Sequence, residues 1–173
     1  PRVALALPAG VSEAAARPVR EAAEALGGPV STLDPAAWAT LSARAAAVAD
    51  TVLAVSLAEW VDAAGLTEAA DVILTPVLAD GPPPVGAFDF ASSDLEAHHA
   101  RMAAAAPGAA VANVSGFPAL AVPFGMAGGL PRSFQMIAPF GAGRALLALA
   151  SRIEDAAPAI PFPRLADLPE DLR

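Results

Sequence analysis

The feature that most restricts the fold is a long stretch without charge, from Met102 to Pro131. A helix that crosses a membrane needs about 20 consecutive apolar residues, so the length alone raises that possibility. Proline removes a backbone donor and clashes inside a helix, and glycine weakens it, which excludes one continuous helix here. The stretch therefore predicts buried strands and turns in a soluble core. Its interrupting residues are Pro107, Gly108, Gly116, Pro118, Pro123, Gly125, Gly128 and Gly129.

The composition excludes several kinds of chemistry. The chain has 173 residues, 55% of them hydrophobic, which suits one domain with a substantial core. Its net charge of −8 argues against partners such as nucleic acid or an anionic membrane. There is no Cys, and all ten basic residues are Arg, so thiolate metal sites, Cys nucleophiles and Lys bases are excluded within this sequence. The sequence has only two imidazoles, the usual neutral-pH bases of enzymes, at His98 and His99.

Short apolar runs alternate with amphipathic segments, a pattern typical of α/β folds. We expect residues 1–173 to form a single α/β unit with a mixed sheet flanked by α-helices, and residues 156–173 to form an irregular Pro-rich tail. The predicted strands are Arg2–Leu7, Pro29–Leu33, Asp71–Pro76, Ala119–Phe124 and Ser133–Ala138. The predicted helices are Pro18–Leu26, one or two helices from Asp34 to Ala64, Ser93–Ala105, Ala109–Val114 and Gly141–Glu154.

Local signals set some of these boundaries. Pro18 is expected in the first turn of its helix, where a missing N–H costs nothing. Ser93 and Glu96 have the spacing of a capping box, which predicts a helix start there. A short turn-rich link should make Ala119–Phe124 and Ser133–Ala138 neighbours in the sheet. The buried face of the last helix is predicted to consist of Leu146, Leu147, Ala150 and Ile153.

Three segments together resemble one family. They are DVILTP at Asp71–Pro76, NVSGFPALAVPFG at Asn113–Gly125 and GLPRSFQMI at Gly129–Ile137. This combination resembles the C-terminal half of the amidase signature family, and the helix from Gly141 is similar to that family's last helix. The physical properties of two residues in the second segment are consistent with this resemblance. Gly116 permits a backbone angle that is closed to other residues, and Pro118 stiffens the entry to the following strand.

The resemblance implies a partial amidase-signature fold that contributes scaffold and part of a substrate pocket. The complete enzyme would be a hydrolase that cleaves the C–N bond of a small-molecule amide through an acyl-serine, without metal or cofactor. The family's catalytic Ser, bridging Ser and Lys lie N-terminal to the part seen here, so no catalytic residue is assigned and the chain alone is expected to be inactive. Small side chains at Ala103, Ala106 and Ala110 would leave room for the acyl part of a substrate. Plain core packing of an Ala-rich segment is the simpler interpretation of these three.

Other interpretations stay open. The chain could be a truncated, non-catalytic amidase-like binding or scaffold protein. As a fragment it would need the missing N-terminal amidase half as a partner, or would self-associate. The cytoplasm is the default location, because the N-terminal apolar run is too short for a signal peptide.

For three local features we favour a structural interpretation over a functional one. His98 and His99 are adjacent on a helix and point about 100° apart, so they cannot share a ligand and are expected to be solvated. Ser115 is expected to cap local backbone, since N-V-S-G-F is not a nucleophile elbow. The Gly141-Ala142-Gly143 turn is explained by a tight strand-to-helix connection rather than by dinucleotide binding.

Overall fold

The computed structural model describes residues 1–49, 70–89, 94–158 and 160, and it is built around one five-stranded sheet. The part of the predicted helix from residue 50 to 64 and most of the predicted Pro-rich tail lie outside these residues. The strands are β1 (Val3–Leu5), β2 (Val30–Thr32), β3 (Val72–Pro76), β4 (Ala119–Ala127) and β5 (Leu130–Ile137). The helices are α1 (Glu13–Ala25), α2 (Pro35–Ala49), α3 (Leu95–Ala105), α4 (Ala109–Ser115) and α5 (Gly143–Glu154).

The sheet is mixed, as predicted, with the strand order β2-β1-β3-β5-β4. The strand pairs of the first half are parallel: Val3 lies opposite Val30 on one side and Val72 on the other. The later half is antiparallel, and Leu74 of β3 lies opposite Met136 of β5. β4 pairs with β5 and forms one edge of the sheet, so the two strands predicted as neighbours are neighbours.

The β4–β5 hairpin is longer than the sequence predicted. Gly128 and Gly129 both have positive φ, 59° and 77°, which suits a two-residue hairpin turn. The register shifts between Pro123 and Met126, where Gly125 has a φ of 74°. Gly125 therefore belongs to a β-bulge that changes the direction of the strand. The prediction that the strand ends at Phe124 is wrong, because β4 continues through the bulge to Ala127.

The two faces of the sheet carry separate cores, because neighbouring residues of a strand point to opposite sides. α1 and α5 cover the first face. Its buried residues include Val72, Leu74, Phe134, Met136 and Ile153. α2 and α4 cover the second face. Its buried residues include Trp38, Leu41, Ile73, Val111 and Ile137.

The start of α1 differs from the prediction. Ser12 caps the helix by accepting a hydrogen bond from the Ala15 amide at 3.2 Å, so the helix begins at Glu13 and Pro18 lies inside it. A serine side chain in this position satisfies one of the amides that a helix start leaves unpaired. The predicted buried face of this helix is confirmed: Val19, Ala22, Ala23 and Leu26 are all buried.

Two further details are corrections. In α5 the buried positions are Leu146, Leu149, Ala150 and Ile153, whereas Leu147 is 64% exposed. Leu149 and Ala150 follow Leu146 by three and four residues, so they lie on the same face of the helix. Leu147 is rotated about 100° from Leu146 around the helix axis and therefore points away from the core. α3 is capped by Asp94, whose carboxylate accepts from the Ala97 amide at 3.0 Å; Ser93 lies outside the described residues.

The uncharged stretch from Met102 to Pro131 forms the end of α3, all of α4 and β4, and the hairpin turn. Strands and turns are present, and the two helical pieces agree with the helices predicted at Ser93–Ala105 and Ala109–Val114. The expectation of buried strands is wrong for β4, because this edge strand buries only Val122 and Phe124. None of the helices in the described ranges has both the length and the apolar character that crossing a bilayer requires.

Arg2 and Asp71 join the amino ends of β1 and β3. The Arg2 backbone amide donates to Asp71 Oδ2 at 2.7 Å, and Arg2 Nη2 donates to Oδ1 at 2.9 Å. The backbone hydrogen bond from Arg2, followed by those from its side chain, holds the pKa of Asp71 below its ordinary value. Both side chains are half exposed, so the ion pair itself contributes little to stability.

Asp71→Asn should make the unfolding free energy less sensitive to acid. A carboxylate with a lowered folded-state pKa stabilises above its unfolded pKa, and this contribution is lost as the pH falls through the folded value. We therefore expect the variant to be the less stable protein at pH 7, and the difference to close below about pH 4. Urea midpoints measured across this range test it, with Asp155→Asn as the control for losing one charge. A difference that grows in acid would contradict it.

Candidate functional site

The carboxyl ends of the parallel strands form the part of the sheet where α/β proteins usually bind ligands. β1 leads there into Pro8 and Ala9, and β3 leads into Val77 and Leu78. Two concave regions lie at this edge, one on each side of β3. One is lined mainly by alanine and proline, and the other contains charged side chains.

The larger region, which we call the alanine cavity, has a volume of about 230 Å³. One wall comes from the loop after β1 and from α2. This wall consists of Pro8, Ala9, Ala39, Ser42 and Ala43. Ala9, Ala39 and Ala43 are exposed, so the cavity opens to the surface on this side.

The opposite wall of the alanine cavity is the corner between α3 and α4. The structure brings Ala103, Ala106 and Ala110 together there, with Pro107 between them. Each of the three alanines is partly buried. They therefore share one concave surface, while a contact with a substrate remains a prediction.

The α3–α4 corner is held against β3 by a close backbone approach. A Cβ at Gly108 would lie 3.0 Å from Cγ2 of Thr75, so any larger residue would push the corner away. The Ala79 amide also donates to the carbonyl of Ala105 at 2.8 Å, which ties the loop after β3 to the end of α3. At the other end of α4, Gly116 has a φ of +69° and ends the helix in the left-handed region, as the sequence predicted.

Three buried polar atoms on this side of the sheet have no hydrogen-bond partner among the described residues. They are Oγ of Ser42, Oγ1 of Thr75 and Nε1 of Trp38. A buried donor or acceptor left unpaired costs about 1–3 kcal/mol, and such groups often mark sites for water or ligand. Ser42 lines the alanine cavity, and Thr75 contacts the α3–α4 corner beside it.

Sequence reasoning does not find Ser42 and Thr75 as site residues. The sequence presents Thr75 only as part of the T-P end of a strand, and Ser42 lies in an Ala-rich helix without a clear polar face. No local signal separates such a serine from a solvated one, because its missing hydrogen bond is a property of the packed structure. The Thr-Pro pair at the end of a buried strand is the one signal that could have pointed to Thr75.

The smaller region, of about 90 Å³, is a polar junction on the other side of β3. Hydrogen bonds from the Ser12 side chain and from the Gly81 backbone, with the charge of Arg132 nearby, lower the pKa of Asp80. A Cβ at Gly81 would lie 2.9 Å from Nη1 of Arg132, so the guanidinium packs closely on the loop backbone. This arrangement fixes the loop after β3 to the start of α1 and the start of β5.

The two histidines do not form a site together. His98 is only 5% exposed, so the expectation that both histidines are solvated is wrong for His98 and holds for the exposed His99. Phe88, from the loop after β3, packs edge-on against His98 with ring centroids 6.2 Å apart. Across the described ranges, no group of three His, Asp or Glu side chains could hold a metal ion.

Ser115 is a turn serine, as predicted. Its Oγ accepts a hydrogen bond from the Phe117 amide at 3.2 Å and donates to the carbonyl of Ala112 at 3.4 Å. The Gly141-Ala142-Gly143 segment forms the short turn into α5, with φ of +85° at Gly141. Both features serve the local backbone.

These observations define an α/β protein with a mixed sheet and a small apolar cavity at the carboxyl ends of its parallel strands. A sequence model of the family described as Amidase matches residues 22–147, which is more than half of the chain. The chain therefore belongs to the Amidase family, and the resemblance seen in its motifs is confirmed. A search of curated protein sequences finds no significant match.

Solved structures agree on the fold. The chain superposes on 6-aminohexanoate cyclic dimer hydrolase with a TM-score of 0.65 and 21% identity, covering 91% of this chain and 45% of that one. It is also similar to a subunit of glutamyl-tRNA(Gln) amidotransferase from Thermotoga maritima, with a TM-score of 0.59, 19% identity and coverage of 90% and 42%. The chain thus spans less than half the length of these proteins.

Proposed function

We propose that this chain is the C-terminal part of an amidase-signature amidohydrolase. The complete protein would hydrolyse the C–N bond of a small amide through an acyl-serine intermediate. The observation that carries the proposal is the family match over residues 22–147 on a sheet that superposes on amidase structures over nine-tenths of the chain. The proposal includes a cytoplasmic location for the protein.

The catalytic step itself would use residues outside this sequence. A serine hydroxyl attacks an amide well only when a base removes its proton, and the family uses a Lys relayed through a second Ser. The 173 residues contain no Lys, so no catalytic role is assigned within them. This mechanism needs neither a metal nor a cofactor.

The contribution of this chain would be scaffold and substrate wall. The sheet and its two cores hold the α3–α4 corner in place, and Ala103, Ala106 and Ala110 would line the acyl part of the substrate pocket. Support comes from their shared position in a cavity at the carboxyl ends of β1 and β3.

The proposed partner is an N-terminal amidase half, with self-association as the substitute when that half is missing. Edge strand β4 carries Ala119, Ala121 and Pro123 exposed on the second face of the sheet. Phe140 is 81% exposed and Leu147 64% exposed. An open strand edge and exposed apolar side chains favour association with another protein surface.

Reading the coding sequence upstream of Pro1 tests the proposal. A Gly/Ser-rich segment with a Lys further upstream in the same frame is expected. The protein that includes this segment should release ammonia from small aryl or aliphatic amides, and alanine at its nucleophilic serine should abolish the release. An upstream region without these residues would instead favour the non-catalytic binding or scaffold protein.

A further inference from the structure

We infer that the N-terminal amidase half docks on the part of the second face of the sheet that α2 and α4 leave uncovered, and that the Gln135 side chain is its polar contact. We call the uncovered part the β4 strip, and it consists of the side chains of Ala119, Ala121 and Pro123. This inference rests on the proposed function, and it adds a docking surface and one residue that the family resemblance does not supply. Three observations support it: where the helical cover ends, a buried glutamine at that boundary and the greater length of the similar structures.

The cover that α2 and α4 provide on the second face ends at β5. Ile137 of β5 belongs to the core beneath these helices and is 1% exposed, whereas Ala119, directly opposite it on β4, is exposed. Ala121 and Pro123 follow on the same face and are exposed as well. An antiparallel strand that faces water on one side usually carries polar side chains there, and the β4 strip has none. The strip therefore has the composition of a covered surface.

Gln135 lies at the boundary of this cover. It is paired with Thr75 of β3 on one side and with Ala121 of β4 on the other. Directly opposite residues of paired strands point to the same face, so the glutamine side chain lies between a fully buried threonine and an exposed alanine. Gln135 itself is only 8% exposed.

The side-chain amide of Gln135 forms no hydrogen bond with any described residue. Its nitrogen and oxygen are also not among the fully enclosed, unpaired polar atoms of the described residues, so they retain contact with solvent. A carboxamide has two N–H donors and an oxygen acceptor, so it can bond the C=O and the N–H of one peptide group together. Burying it without such partners is unfavourable. A peptide segment that crosses the β4 strip above the small Ala121 side chain would supply both partners.

The N-terminal half is the occupant that fits this surface. The chain covers less than half of the similar structures, so the rest of a complete protein is large enough to cover the strip. The sequence carries no charged residue from Met102 to Pro131, which includes all of β4. The docking segment therefore needs apolar side chains and one peptide group for Gln135, and it needs no ion-pair partner for the strip.

A second copy of the chain fits less well, because the free edge of β4 offers little to pair with. The Ala138 amide donates to the Pro118 carbonyl at 3.1 Å, and backbone groups alternate in direction along an antiparallel ladder. The outward-pointing groups therefore belong to Ala119, Ala121 and Pro123. Proline has no N–H, so an edge-to-edge dimer would pair about three residues at most, at the lower limit of strand length.

Thiol labelling of the complete protein tests the docking surface. Ala121→Cys introduces a thiol on the β4 strip, and these 173 residues contain no other Cys. Ala148→Cys is the matched control, since it makes the same change at an exposed position of α5. In the native complete protein we expect a maleimide to modify Ala121→Cys at least about tenfold more slowly than Ala148→Cys. In the 173-residue chain alone the two thiols should react at similar rates, and the complete protein without an introduced Cys gives the background.

Gln135→Met tests the polar contact. Methionine has a similar length and no strong hydrogen-bonding group. In the complete protein the variant should unfold at a temperature about 2–8 °C lower, because the peptide group bound to Gln135 loses its partner. In the 173-residue chain the same change breaks no hydrogen bond, so the unfolding temperature should not fall.

Several results would overturn the inference. The docking surface is wrong if Ala121→Cys reacts as fast as Ala148→Cys in the complete protein, or if the coding sequence holds no N-terminal half. Labelling of Ala121→Cys in the 173-residue chain that slows as the protein concentration rises would assign the strip to a second copy instead. An equal fall in the unfolding temperature of both proteins would show that Gln135 only packs.

These readouts do not depend on turnover. A complete protein in which Ala121→Cys is protected, but which hydrolyses no amide, would refute the proposed function and leave the docking surface standing. A complete protein that hydrolyses amides while Ala121→Cys reacts freely would do the reverse.

Discussion

The 173-residue chain by itself should release no ammonia from small aryl or aliphatic amides above the buffer rate. The sequence contains no Lys or Cys, and His98 and His99 are its only imidazoles. His98 is buried against Phe88, and the Ser115 hydroxyl is bonded to local backbone. Removing a nucleophile–base unit from a serine hydrolase costs on the order of 10⁶ in rate, so only binding effects would remain.

Two sets of variants make this prediction decisive. Turnover that survives alanine replacement of both His98 and His99 would overturn the mechanistic argument, because no other neutral-pH base is available in the sequence. Turnover that disappears in Ser115→Ala would show that Ser115 is a nucleophile after all. Ammonia release measured by a coupled assay on the purified chain distinguishes these results from a buffer-catalysed background.

Phe134→Ala should lower the free energy of unfolding by about 3–5 kcal/mol. Phe134 is fully buried in β5, lies opposite Pro76 and Val122, and packs edge-on against Phe124 with ring centroids 5.9 Å apart. Truncation loses this burial and leaves a cavity in the core on the first face of the sheet. Because domains are typically stable by about 5–15 kcal/mol, this loss removes a substantial fraction of the total stability.

Phe140→Ala is the matched control, since it removes the same side chain from a position that is 81% exposed. Its effect on unfolding should stay within about 0.5 kcal/mol. Urea denaturation of the two variants beside the parent chain gives both values. Similar losses at positions 134 and 140 would mean that the first face of the sheet is not a tightly packed core.

The sequence predicts strands well where the signal is local. Asp71–Pro76 is an apolar run that ends at proline, and it forms β3 with little change in its limits. The helix starts are less predictable. The sequence suggests Pro18 and Ser93 as start signals, whereas the structure uses Ser12 as the cap of α1 and Asp94 as the cap of α3. A glycine at position 125 suggests a strand end, although pairing with β5 carries the chain through it as a bulge.

The candidate site is predicted in part. The resemblance points to the three alanines at positions 103, 106 and 110, and the structure places them on one cavity. The burial of His98 depends on Phe88, which approaches it from the loop after β3, so helix periodicity could not show it. The unpaired hydroxyls of Ser42 and Thr75 likewise depend on how distant segments pack.

The position of β1 between β2 and β3 has a consequence for the order of events during synthesis. β1 can pair with β2 early, but two strands of three residues are too short to be stable alone. Its other partner, β3, starts at Val72, which at about 5–20 residues per second is made several seconds after Val3. During that interval the edge of β1 that later pairs with β3 remains uncovered, and so does the apolar side of α1. Both surfaces would be open to a chaperone at that stage of synthesis.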